Sequence, residues 1–197
     1  LLHSLEKSIS LSEIDSLRAY KEISQEKENL ISLIRNTKVL CAIDTTDSFD
    51  KLMDEKSQAQ EKVDFINTEK NKLLNAFEKE IFDIDYAGIL GRYRTKYTSF
   101  FKYFKGSYKA DKKQMRSIYK NMSAKISDEI ILSTINTLKE ISEAREWLQS
   151  NATCFKEVFC DDFCGENTDF QKIEHHILLH KTITEAITIL NKLYDIA

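Results

Sequence analysis

The chain has 197 residues, a formal net charge of −3, no proline and four glycines: Gly88, Gly91, Gly106 and Gly165. So few turn-formers exclude an all-β fold or a series of α/β units, and abundant Leu, Glu, Lys, Ile and Ser point to long helices with wet outer faces. No apolar run approaches the roughly 18–20 residues of a membrane span, and the opening residues do not read as a signal peptide.

Four cysteines do not make a disulfide scaffold in a chain of this size. Cys41 stands alone, while Cys154, Cys160 and Cys164 cluster, which fits a reduced, cytoplasmic protein. The sequence starts at Leu1 without a methionine and stops at Ala197 inside a helical pattern, so it reads as a segment of a longer protein.

Taken in chain order, Ser10 with Glu13 forms a capping box. Apolar residues then follow at helical spacing: Ile14, Leu17, Tyr20, Ile23, Leu30 and Ile34. The small polar residues of CAIDTTDS, within the less regular stretch from Asn36 to Asp47 and Ser48, read as a turn. From about Ser48 to Phe82 runs the longest periodic segment, with Phe49, Leu52, Met53, Val63, Ile66, Leu73, Phe77 and Ile81 on one narrow face. A narrow stripe on so long a helix calls for a coiled-coil partner, and Lys56 and Lys70 interrupt the seam.

Asp85 is placed to cap the next helix, whose apolar face is Ile89 or Leu90, Tyr93, Tyr97, Phe101, Phe104 and Tyr108, with a break near Gly106. A further helix is expected to end near Asn121. Ser127, followed by two acids, caps a helix from Asp128 to about Ser150 with Ile131, Ile135, Leu138, Ile141 and Leu148 inward. A short helix at Cys154–Phe159 leads into the loop CDDFCGEN. Thr168 with Gln171 forms a second capping box. The last helix turns Phe170, Ile173, Ile177, Ile183, Ile187, Leu190 and Tyr194 inward.

The expected architecture is all-α, an antiparallel coiled-coil stalk with a small helical head. Residues 1–84 supply N-terminal stalk helices, 85–166 the head and 167–197 a C-terminal stalk helix. The stalk also offers a seam for a homodimer.

No phosphate loop GxxxxGK[ST] and no dinucleotide fingerprint occurs, and GILG at 88–91 is too short. Cys154, Cys160 and Cys164 lie upstream of His175, His176 and His180, and His176 and His180 share a helix face. The tight cysteine pairs of common zinc modules are absent, so no metal site is assigned. Glu78, Glu80, Asp83 and Asp85 fall on a wet helix end, and no catalytic residue is assigned.

Residues 91–120, GRYRTKYTSFFKYFKGSYKADKKQMRSIYK, hold ten Lys or Arg against one acid, Asp111, and eight of the chain's twenty aromatics. This block carries about +9, which leaves about −12 for the rest of the chain. A neutral solvated face would mix both signs; one-sign clustering attracts phosphate backbones. Arg92, Arg94, Lys96, Lys102, Lys105, Lys109, Lys112, Lys113, Arg116 and Lys120 are the candidate nucleic-acid-binding residues. The helical spacing places Tyr93, Tyr97, Phe101 and Phe104 in the core. The other reading is an arm without nucleic-acid contact, whose basic face docks on an acidic protein surface.

RYRTKYTSFFKYFKGSYKADKKQMRSIYK, followed by KISDEII and FKEVFCDDFCGENTDF, resembles the helical insertion of large bacterial superfamily-one helicase-related proteins. The shared pattern is R-Y-x-x-x-Y-x-S-F-x-x-x-F-x-x-x-Y, here Arg92 to Tyr108, and then G-x-x-T-D-W, here Gly165 to Phe170 with phenylalanine in place of tryptophan. The likeness covers about 85–171. It implies an ATP-driven, Mg²⁺-dependent parent acting on DNA or RNA, whose motor motifs lie outside this segment. The segment would be a projecting arm that touches nucleic acid and the parent's motor domains.

Overall fold

A computed structural model describes residues 16–36, 49–121, 123 and 125–196, and these form an all-helical protein without a β-strand among the described residues. Six α-helices follow one another: α1 (Ser16–Asn36), α2 (Phe49–Ala76), α3 (Tyr86–Thr95), α4 (Gly106–Ser117), α5 (Asp128–Phe159) and α6 (Phe170–Ile196). Short 3₁₀ turns at Lys79–Asp83, Phe100–Phe104, Cys160–Asp162 and Gly165–Asn167 join them. The capping box at Ser10 and Glu13, the turn at CAIDTTDS, Cys41 and the side chains of Ile14, Leu17, Tyr20, Ile34 and Tyr194 lie outside the described residues.

The chain divides into two compact units, one joining the residues up to Gln58 with those from Ala152 onward, the other holding Ala59–Asn151. In the first unit α1 packs along α6. Ile23 of α1 and Ile173, Ile177, Ile183 and Leu190 of α6 are buried, whereas Ile187 is only half-buried. Phe155, Phe159 and Phe163 add an aromatic cluster, with ring centroids 6.4 and 5.0 Å apart along the series 159–155–163. The helix expected to stop near Ser150 runs on without a break to Phe159. The segment 154–159 is its last turns, because nothing between Ser150 and Cys154 breaks helical bonding. The stop comes at Cys160, whose φ of 48° is left-handed, and Gly165 at φ 61° turns the loop again. Asp169, not Thr168, caps α6: its Oδ1 accepts from the backbone N–H groups of Gln171 and Lys172, both at 3.1 Å. The Thr168 hydroxyl instead accepts from Cys164 N–H at 2.9 Å and donates to Gly165 O at 2.8 Å, closing the loop.

In the second unit, Val63, Ile66 and Leu73 of α2 and Ile131, Ile135, Leu138 and Ile141 of α5 are buried, as their spacing predicts. Along the whole of α2 the buried positions are 52, 56, 59, 63, 66 and 73, with steps of three and four and one gap at the half-exposed Lys70. The helix expected to reach Phe82 ends at Ala76. The cause is tertiary. Phe77 pairs with Tyr119 in an isolated antiparallel bridge, Lys120 N–H donates to Ala76 O at 3.0 Å, and Lys120 Nζ donates to Leu74 O at 2.5 Å. The end carbonyls of Leu74 and Ala76 thereby gain donors from outside the helix. Asp85 caps α3 as expected, its Oδ1 accepting from Gly88 N–H at 2.8 Å. Ser127 caps α5, its hydroxyl accepting from Ile130 N–H at 3.2 Å.

The continuous helix expected through Phe101 and Phe104 does not form. α3 ends at Thr95, the Phe100–Phe104 turn is 3₁₀, and α4 begins at Gly106. α4 in turn ends at Ser117, a few residues before the expected Asn121.

Candidate nucleic-acid interface

All ten candidate cations sit between the start of α3 and the residues just past α4, on these helices, the turn Phe100–Phe104 and the residues that join them, within one compact unit. Two buried or half-buried carboxylates organise their inner side. Asp111 of α4, 6% exposed, accepts two hydrogen bonds from Arg92 of α3, Nε and Nη2 each at 2.8 Å, and a third from Tyr97 Oη at 2.8 Å. A forked guanidinium on a buried carboxylate is a strong, directional pair that locks α3 against α4. The hydrogen bond from Arg92 to Asp111 raises the guanidinium pKa above its ordinary value, against the desolvation that would lower it.

Asp128, the first residue of α5, is the second node. It accepts from Lys102 Nζ at 2.5 Å, Lys112 Nζ at 3.2 Å, Tyr108 Oη at 2.7 Å and Tyr93 Oη at 3.4 Å. Burial pushes this carboxyl up, but the bonds from Lys102, Tyr108 and Lys112 outweigh it and bring the pKa down to about 2. Burial and then the Asp128 charge push the Tyr93 hydroxyl well above the ordinary tyrosine range, so it stays a donor.

The ten cations therefore separate. Arg92, Lys102 and Lys112 are matched by carboxylates and hold the unit together. Lys105 donates to Lys96 O, Arg116 to Asn121 O at 2.7 Å, and Lys120 to Leu74 O. These three serve as backbone clasps. Arg94, Lys96, Lys109 and Lys113 are exposed and make no side-chain ion pair among the described residues. Sequence spacing alone did not separate these groups, because the matching acid Asp128 lies outside the basic block.

The aromatic residues separate too. Tyr93, Tyr97 and Tyr108 are buried and meet edge to face, with Tyr97 5.1 Å from Tyr93 and 5.2 Å from Tyr108. Phe101 and Phe104, expected in the core, are 70% and 73% exposed, and Phe100 is 74% exposed. The 3₁₀ turn is the reason: it breaks the helical phase that would have carried these rings inward.

The cysteines and histidines do not converge. Cys154 and Cys164 are exposed, His176 Nδ1 lies 2.7 Å from Asp162 Oδ2, and His180 is buried. No group of three or more His, Cys, Asp or Glu among the described residues could hold a metal ion. Asp85 serves as a helix cap, and Glu78 and Glu80 are exposed. An open cleft of about 470 Å³ lies between α2 and α5, lined by Phe77, Tyr119, Ser133, Thr134 and Thr137 among others, but no histidine or cysteine reaches it. No described helix is long and apolar enough to cross a membrane.

No family model matches the sequence, and no curated protein and no solved structure matches it significantly.

Proposed function

We propose that the chain is a non-catalytic helical arm that positions nucleic acid, with the polyanion lying across Arg94, Lys96, Lys109 and Lys113. The observation that carries this reading is the exposure of these four cations without side-chain ion pairs among the described residues, in a basic segment whose Arg92, Lys102 and Lys112 are matched by carboxylates. Charges of this kind grip phosphates without base specificity.

The parent is a helicase-related ATPase in this reading, with ATP, Mg²⁺ and the motor domains outside residues 1–197. That part rests on the sequence likeness at 85–171 alone. An antiparallel coiled-coil stalk belongs to the same reading, supported by the three- and four-residue steps of buried positions in α2 and by α1 lying against α6. The motor domains, and a second copy joined through the stalk, are the protein partners it adds; the location is the cytoplasm.

Titration of the chain with labelled DNA and RNA at two salt concentrations tests it. Four phosphate contacts give a log–log salt slope of about −3 on single strands, so a fourfold rise in salt weakens binding roughly 50-fold. Reversing Lys109 and Lys113 to Glu should about halve that slope. Reversing Lys112 or Arg116 is a poorer test, since both are engaged within the fold. No binding by the wild type at low salt, or an unchanged slope in the reversed variant, overturns the reading.

A further inference from the structure

Four of the five residues in the turn FFKYF are aromatic, and Phe100, Phe101 and Phe104 are the most exposed large apolar side chains among the described residues. The turn is tied from beneath. Lys102, in its middle, donates to Asp128 at 2.5 Å. Tyr103 meets Tyr108 edge-on at 5.5 Å, and Phe100 meets Tyr103 edge-on at 5.6 Å. Just past the turn, Lys105 donates to Lys96 O. Phe101 and Phe104 make no ring contact among the described residues. Their faces are therefore held outward on a fixed support, which lowers the ordering cost of binding.

Resting on the nucleic-acid reading above, we propose that Phe100, Phe101 and Phe104 stack on unpaired bases, so that this face selects single strands over duplex. A single strand carries a phosphate and an open planar ring in every nucleotide. This surface offers both complements: cations at 94, 96, 109 and 113, and rings on the turn between them. A duplex hides its base faces in its own stack and presents only phosphates to a convex turn. An anionic bilayer is a poorer fit. Binding in its interface takes a long apolar helical face, whereas the exposed residues of α4 are small or polar, Lys109, Ala110, Lys113 and Gln114 among them, and the apolar part is confined to one turn.

The test uses the whole chain with an oligothymidylate, a duplex of equal length, and vesicles containing phosphatidylserine. The wild type should bind the single strand at least tenfold tighter than the duplex. Phe101→Ala with Phe104→Ala should weaken single-strand binding by tenfold or more, affect duplex binding far less, and keep the salt slope. Phe101→Leu with Phe104→Leu keeps the apolar bulk but removes the rings, and should resemble the alanine pair. All these side chains are exposed, so circular dichroism and the melting temperature should stay at wild-type values, and a variant that unfolds refutes the stated exposure. Equal affinity for single strand and duplex, or full binding by the leucine pair, overturns the stacking proposal while leaving phosphate binding intact. Loss of vesicle binding in the alanine pair without loss of single-strand binding assigns the rings to a bilayer and overturns it as well. No binding to any nucleic acid at low salt overturns both this proposal and the reading beneath it.

Discussion

Replacing Asp128 by Asn should loosen the unit that carries the basic face. The carboxylate accepts from two lysines and from Tyr108, and its pKa lies at about 2 against an ordinary value of 3.8. A shift of this size corresponds to about 2 kcal/mol of stability favouring the ionised form. The side chain is 21% exposed, so solvent screening takes only a modest share of that figure. Because the folded pKa is lowered, the contribution is fully present above the unfolded value near 4 and is lost as pH falls from there toward 2. Urea unfolding at neutral pH should thus show the Asn variant less stable by about 2 kcal/mol, since an amide cannot hold two ammonium groups as a carboxylate does. Repeated near pH 2, the gap should narrow sharply. A variant with wild-type stability at neutral pH, or a gap that does not change with pH, refutes the assignment of Asp128 as the node.

Three further outcomes follow from single sites. His180 is 1% exposed, its Nε2 has no hydrogen-bond partner among the described residues, and burial lowers its pKa; stability should fall as pH drops below about 6.5, and His180→Leu should flatten that dependence in thermal melts. Lys56 is buried in the α2 seam and pairs with Glu174, so Lys56→Met should be neutral or stabilising, while Glu174→Ala should cost about 1–3 kcal/mol in urea unfolding by stranding the ammonium. A methyl group at Gly88 would lie 1.9 Å from Asp85 Oδ2, so Gly88→Ala should displace the cap of α3 and cost about 1 kcal/mol, with little further loss when Asp85→Ala is added.

The helical class and most of the core were legible in the sequence because both depend on local spacing. Ile131, Ile135, Leu138, Ile141 and Leu148 are buried as the period of α5 requires, and Asp85 and Ser127 cap where their side chains predict. What was not legible depends on partners distant in sequence. α2 stops at Ala76 because Lys120 takes its last carbonyls, 44 and 46 residues away along the chain. Spacing likewise did not show which cations are engaged within the fold: Asp128 claims Lys102 and Lys112, and Asp111 accepts from Arg92 and Tyr97. The exposed rings had a signal that spacing at 101 and 104 concealed. Four aromatics within FFKYF are too many for one helix face, since adjacent positions point about 100° apart, so some of these rings had to face water.

Backbone chemical-shift mapping of the isotopically labelled chain, with a short oligothymidylate added at low salt, tests the central claim most directly. The account predicts that the largest shifts fall on residues 94–113, strongest at the Phe100–Phe104 turn and at Lys109 and Lys113, and that they fade as salt is raised. Shifts that cluster elsewhere, or none at a saturating concentration, would contradict it.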